Sequence, residues 1–422
     1  MHTEIIESAS QVNWKLDGKF VLAQSLREQA IAVIDQTPFP TTKTEAWKYT
    51  RLTKIKNGQF SIQNESSEIQ VPIVDSESLK IVFVNGHYSA QHSDSSFPEG
   101  LKVIPLSEMD EKERNYIGLN LNPENELFHA FNTAYATDGI YIHVSAKMVI
   151  EKTIELIYIT SGKNVLSTIR NTITTEAFSA LKVIQHFVSD LATTDSFTNV
   201  ISEISVGSNS NLTIDKLQEE SDSHIQIASE IIQQQKDSTF TINTITLNGL
   251  LVRNNLTINV QGNNCETNLN GAYILNGNQH VDNHTVVDHQ VAHCISNELY
   301  KGVIDGNATA VFNGKVFVRK DAQKINAFQS NANVLLSNDA TVNSKPELEI
   351  YADDVKCSHG STTGQLDENA IFYLRARGIG EKAARQLMIG AFVEDVFEKI
   401  KNETVVNHIE NVLVNRFGWT QK

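Results

Sequence analysis

Between Pro123 and Pro346 the chain has no proline. Over the same stretch, short segments rich in Val, Ile, Thr and Phe recur: GIYIHVS, TIELIYIT, NVISEISV, NLTIDKL, STFTINTITL, NLTINVQ and TAVFNGKVFV. Their composition and period-two alternation are those of strands. Small polar turns punctuate them, among them GSNSN, KDST, GNNCE, DGNAT, KDAQ and SNDAT. Helical periodicity is nearly absent. A loose repeat of short strands with no strict motif predicts a solenoid in which each coil covers the next, a parallel β-helix. The competing all-β arrangement is a β-sandwich. At this length it would need about twice the usual strand number or two domains joined by a linker, and no Gly/Pro/Ser-rich linker interrupts 136–350.

Helical patterns flank this region. In FVLAQSLREQAIAVIDQ, Leu22, Leu26, Ala30 and Val33 recur at helical spacing, and Pro38 and Pro40 end the pattern. KTEAWKYTRL follows, with Trp47 and Tyr49 among charges. LKIVFVNGHYS reads as strand and turn, and NPENELFHAFNTAYATDG as a helix with Leu127, Phe128, Phe131 and Ala134 on one side. After residue 360, LDENAIFYLRARG starts at Asp367 and stops at Gly378. GEKAARQLMIGAFVEDVFEKI carries a stripe of Ala384, Met388, Ala391, Phe392, Val396 and Ile400. NETVVNHIENVLVNRFG has Asn402 as N-cap, Val405, Ile409, Val412 and Phe417 as stripe, and Gly418 as stop. The expected organisation is an N-terminal helical domain (1–70), a mixed lead-in (71–135), a β-helix core (136–359) and a C-terminal helical domain (360–422).

Apolar residues make up 40% of the 422 and charged residues 20%, the make-up of a globular protein able to bury a core. The formal net charge of −15 argues against a nucleic-acid binder, which needs a basic stripe. No apolar run approaches the roughly 20 residues of a membrane-spanning helix. The start, MHTEIIESASQVNWKLDGKF, lacks a basic segment followed by an apolar core, so no signal peptide is expected. Three cysteines far apart, Cys265, Cys294 and Cys357, form no disulfide framework. The expected location is cytoplasmic.

Several stretches could carry chemistry. RGIGEKAARQL contains G-x-G-x-x-A at Gly378, Gly380 and Ala383, but a helix precedes it and no βαβ unit follows. It reads as a tight turn between helices. HVDNHTVVDHQVAHC brings His280, His284, His289 and His293 within fourteen residues. On a strand, His280, Asp282 and His284 share a face, and His289, Val291 and His293 share one in the next segment. Such a row is either a metal site or a solvated face or subunit contact. No H-E-x-x-H, C-x-x-C or G-x-x-x-x-G-K-[ST] occurs, so neither a standard zinc enzyme nor a nucleotide site is signalled. Cys265 and Cys294 read as small hydrophobes.

PELEIYADDVKCSHG alternates as a strand, so Cys357 and His359 project from one face. Thiolate with imidazole suits iron, zinc or copper(I). Two ligands are too few for a closed site, so others must come from elsewhere in the fold or from a partner chain. A Cys–His nucleophile pair is the other chemical reading, and a strand end with no task is the third.

The run from ELYKGVIDGNATAVFNGKVFVRKD through YADDVKCSHGSTTGQLDENAIFYLRARGI resembles the SufB/SufD family of iron–sulfur cluster assembly proteins. KTEAWKYTRL resembles the family's E-x-W-K/R-Y-T element. DDVKCSHGSTTGQLD together with ARGIGEKAARQLMIGAFVEDVF, the total length and the few cysteines are similar to the SufD branch. The SufB branch is longer and carries the cysteines thought to receive sulfur.

This resemblance implies a right-handed β-helix between helical terminal domains. It also implies a non-catalytic scaffold role beside a SufB-like paralogue and a SufC-like ABC ATPase docked on the C-terminal helices, with sulfur delivered by a cysteine desulfurase. Iron or a transient iron–sulfur cluster would be held between the two chains, with reduced flavin bound by the complex. His359 matches the histidine at the partner interface and is the expected iron or cluster ligand, with Cys357 a secondary candidate. The row His280, His284, His289 and His293 would be an iron path. A homodimer is expected when the paralogue is absent. The alternatives are a SufB-like chain that holds the cluster itself and an unrelated β-helical metalloenzyme.

Overall fold

A computed structural model describes residues 12, 14–63, 69–110, 114, 117–118, 127–190 and 193–418. Its centre is a solenoid of two facing sheets, one of ten strands and one of nine. From Ile140–Val144 onward, successive strands alternate between the sheets, and all pairing within each sheet is parallel. Two antiparallel pairs, Leu79–Val84 with His87–Tyr88 and Leu101–Pro105 with Ile140–Val144, close the first end. The β-helix expected from the sequence is therefore the fold, and parallel pairing rules out the sandwich.

Each coil advances by a similar but unequal length. Ile225 pairs with Leu251, 26 residues on, and Thr309 with Thr341, 32 residues on. One corner explains how unequal coils stay in register. Lys147, Phe178, Asn209, Asp237, Asn264, His293 and Lys324 occupy successive coils there, each with a positive φ between 58° and 64°. Backbone bonds tie them upward: Asn209 N–H donates to Lys236 O, Asp237 N–H to Asn263 O, and His293 N–H to Gln323 O, each at 2.9 Å. Asn, Asp and His tolerate this left-handed conformation better than most side chains, which is why the turns are polar and short.

The interior is apolar along most of its length, with Ile142, Leu156, Phe187, Ile214, Phe240, Leu269 and Phe312 among its buried residues. Helices cover both outer faces. Helix α1 (Gln24–Gln36) packs on the later helix α3 (Leu127–Tyr135), with α2 (Thr53–Asn57) between them in sequence. Together they shelter Leu166, Phe197, Ile225 and Leu251 of the nine-stranded sheet. Residues 122–126 of the expected helix lie outside the described residues.

At the other end of the chain come α4 (Glu368–Ala376), α5 (Glu381–Phe397) and α6 (Glu403–Phe417). The last two cover Ile184, Leu217, Ile245, Ala272 and Val303 of the ten-stranded sheet. Asp367 caps α4 by accepting from Asn369 N–H at 2.9 Å, Asn402 caps α6 through Thr404 N–H at 3.0 Å, and Gly418 ends α6 at φ 66°.

Three helix stripes are turned from the expected ones. In α5 the buried line is Ala384, Ile389, Val393 and Val396, while Ala391 is exposed. In α6 Leu413, not Val412, is buried. Both helices are apolar on more than one side, so periodicity alone did not select the face that meets the sheet. In α1 the buried pair is Ala30 and Ile34 rather than Ala30 and Val33.

Candidate functional site

The last coil consists of Thr341–Ile350, which ends the nine-stranded sheet, and Lys356–Gly364, which ends the ten-stranded one. No described strand covers either, so one edge of each presents free backbone groups. Pro346 sits on the first of these two, an edge position where proline is tolerated. The turn between them is held to the coil below. Asp354 N–H donates to Gln323 Oε1 at 2.9 Å, Lys324 N–H donates to Asp354 O at 2.6 Å, and the Lys324 ammonium pairs with the Asp354 carboxylate.

This anchored turn fixes the register of the following strand. Cys357 pairs with Ala327 and His359 with Gln329. Cys357 packs against the interior cluster, and His359, two residues on, shares its face at the mouth of the solenoid. Cys357 is half-buried and its thiol is pushed up by that burial, so it is a poor thiolate source in the isolated chain. The His359 side chain is exposed and makes no hydrogen bond or ion pair with any described residue.

A polar column lies beneath the histidine. Glu298 pairs in register with Gln329, and Gln329 with His359. Gln329 Nε2 donates to Glu298 Oε2 at 2.7 Å, while the buried Gln329 Oε1 has no partner among the described residues. Burial raises the Glu298 carboxyl to about 7, against hydrogen bonds from Thr285 and Gln329 that favour its charged form. A second polar line reaches the same mouth. Tyr273 Oη donates to Asn333 (2.6 Å), Asn333 to Asn331 (2.8 Å), Ser344 to Asn331 (2.9 Å) and exposed Ser361 to Ser344 (2.8 Å).

The histidine row is taken apart by the fold. His280 and His284 face outward beneath the N-terminal region. His280 Nε2 lies 2.9 Å from Thr50 Oγ1, and His284 Nε2 lies 2.9 Å from Asp282 Oδ1. Buried Asp282 also accepts from Arg253 Nη1 (2.6 Å) and from the Thr50 hydroxyl. Burial would raise its carboxyl, but the charges of Arg253 and His284 hold it well below the carboxylate range. Arg253 in turn lies over the Trp47 ring at 4.1 Å and donates to Ala46 O at 2.7 Å. These residues anchor the EAWKYT element. His289 points into the interior, 2.9 Å from Ser296 Oγ, and burial lowers it to about 4. His293 is the exposed left-handed turn residue of its coil. Cys265 and Cys294 are buried interior neighbours at that corner. The strand ends at His289, so the second expected shared face does not form.

Among the described residues, a different trio converges: His186, Glu219 and His408, with ligand atoms within 4.8 Å of one another. No sequence pattern links them, because they sit on two strands and a distant helix. Burial would raise the Glu219 carboxyl, but the two imidazoles hold it at about 2. His408 is pulled down by burial and up more strongly by Glu219, so it ends raised.

Comparison with known proteins agrees with the fold. The family description "SUF system FeS cluster assembly, SufBD core domain" matches residues 158–392, and "SufBD protein N-terminal region" matches 15–156. The chain is 33% identical over 383 residues to the iron–sulfur cluster assembly protein SufD of Escherichia coli, covering 89% of each chain. It is 30% identical over 394 residues to a SufBD family protein of Synechocystis, covering 89% of this chain and 86% of the relative. A protein of Arabidopsis thaliana named as chloroplastic is 29% identical over 410 residues, covering 92% of this chain and 86% of the relative. No described helix is long and apolar enough to cross a membrane.

Proposed function

The chain belongs to the SufBD family of iron–sulfur cluster assembly proteins and is of the SufD type, and from that premise we propose that it is a non-catalytic scaffold subunit whose open solenoid end completes a cluster-assembly site with a SufB-like paralogue. The observation that carries this reading is His359. It is an imidazole with no partner among the described residues, on an edge strand whose backbone is free to pair with another chain. A neutral imidazole is a fair ligand for iron, and the remaining ligands would come from the paralogue. The iron or nascent cluster is cargo in this scheme. Cys357, half-buried beside it, is the secondary ligand.

The C-terminal helices support a second contact. A groove between α5 and α6 is lined by Leu387, Gly390, Ala391, Val406 and Val414 and rimmed by Glu394, Glu398, Glu403 and Glu410. Its apolar floor and acidic rim suit a SufC-like ATPase with basic residues around an apolar patch. The His280–His284 pair serves the N-terminal anchor in this reading, not an iron path.

Co-expression of the chain with SufB and SufC partners, wild type against His359→Ala, tests the proposal. The expected result is an intact complex in both cases and a marked fall in iron–sulfur cluster yield in the variant, read by iron and sulfide content and visible absorption. Undiminished yield would sink the assignment of His359. Failure of the wild-type chain to join either partner would sink the scaffold reading.

A further inference from the structure

On the outer face of the ten-stranded sheet, Glu155, His186 and Glu219 project from three successive strands, Ile154–Thr160, Ala180–Ser189 and Asn211–Glu219. Helix α6 lays His408 over them. His186 is wholly buried, and both of its ring nitrogens lack a hydrogen-bond partner among the described residues. Such a group costs free energy unless something binds there. His186 Nε2 stands 3.8 Å from Glu219 Oε2, and Glu219 Oε1 stands 2.8 Å from His408 Nε2. The first distance is too long for a hydrogen bond. It is less than the ~4.2 Å that two metal–ligand bonds span end to end, so one ion can sit between the two groups.

We propose that His186 Nε2, Glu219 and His408 Nε2 bind one divalent first-row transition-metal ion, zinc or iron(II) in class, which clamps α6 to the solenoid. Two imidazoles and a carboxylate are ligands for such ions and not for calcium or magnesium. The other side of His186 faces a carboxylate that would have to close by about 1 Å to make the hydrogen bond that metal-bound histidines use. Its Nδ1 faces Glu155 Oε1 at 4.0 Å. That carboxylate is itself held by Val74 N–H (2.8 Å), Asp75 N–H (3.2 Å) and the Ser78 hydroxyl (2.8 Å). When metal binding draws the imidazole onto it, this carboxylate would accept from Nδ1–H, fix the tautomer and raise the basicity of Nε2 toward the metal. His408, with 22% of its side chain exposed, leaves a route from solvent. The site lies among strands far from the last coil in sequence, so it neither needs nor tests the scaffold reading.

The test uses the full chain carrying Cys357→Ala and His359→Ala, stripped of metal and titrated with cobalt(II). One equivalent is expected to bind with visible d–d bands and without a thiolate charge-transfer band. Glu219→Gln and His408→Ala are expected to weaken binding by more than the ~10–100-fold that loss of an outer partner costs, and Glu155→Gln by about that range. His408→Cys is the decisive variant: it keeps one equivalent and adds a thiolate-to-cobalt charge-transfer band, which a purely structural His408–Glu219 pair could not produce. Absence of stoichiometric binding in the double-variant background overturns the proposal. So does binding unchanged by Glu219→Gln and His408→Ala, or a folded His408→Cys protein without the charge-transfer band.

Discussion

Two histidine-bearing regions of this molecule face opposite fates. Between His280 and His293 the sequence is dense in imidazoles, yet three of the four are committed or spent: two to the Asp282–Thr50 anchor and one to Ser296 inside the core. The last coil carries a single imidazole, His359, and no described residue engages that side chain. Density of potential ligands therefore says less about a site than their unmet bonding capacity. A saturated cluster stabilises, whereas an unsaturated group at an edge is available for binding.

Substitutions should separate the two regions cleanly. The largest effect is expected at Asp282. Asp282→Ala leaves the Arg253 guanidinium buried without its carboxylate, and loss of about 3–5 kcal/mol in denaturant unfolding is the expected outcome. A loss below about 1 kcal/mol would mean that the N-terminal element is not held this way.

The next effect lies beneath His359 and depends on pH. Glu298 has its carboxyl raised from 4.5 to about 7, so the folded state favours the protonated acid. Its stabilising contribution is complete below pH 4.5 and is lost as pH rises through about 7. Glu298→Gln should flatten the stability profile across that window, worth about 3 kcal/mol at its upper end. A profile identical to wild type would show that Glu298 is ionised in the folded chain. Smallest is His359→Ala, expected to alter the stability of the isolated chain by no more than about 0.5 kcal/mol. A larger loss would move His359 from the unsaturated class to the saturated one.

Much of the architecture was legible in the chain because β-solenoids write their physics locally. Strand composition, the absence of proline and the small polar turns each report a local backbone requirement, and the left-handed corner residues Asn209, Asp237 and Asn264 fall inside three of those turns. Helix caps at Asp367, Asn402 and Gly418 were equally readable, for the same reason. Which face of α5 and α6 is buried was not, because several sides of each helix are apolar and only the sheet selects among them. His293 shows what a histidine-rich row does not reveal: it is the left-handed turn residue of its coil.

By itself, then, the sequence determined the coil-by-coil repeat, the helical ends and the pairing of Cys357 with His359 on one strand face, since each depends on residues near one another in the chain. Tertiary structure alone decided which polar groups are satisfied. The Arg253–Asp282 pair beneath Trp47, the buried Glu298 held by Thr285 and Gln329 under His359 and the meeting of His186, Glu219 and His408 all join residues whose sequence neighbours give no sign of the contact. Burial and bonding depend on what a fold stacks above and beside a side chain, and only the stacked coils and the helices laid across them supply that.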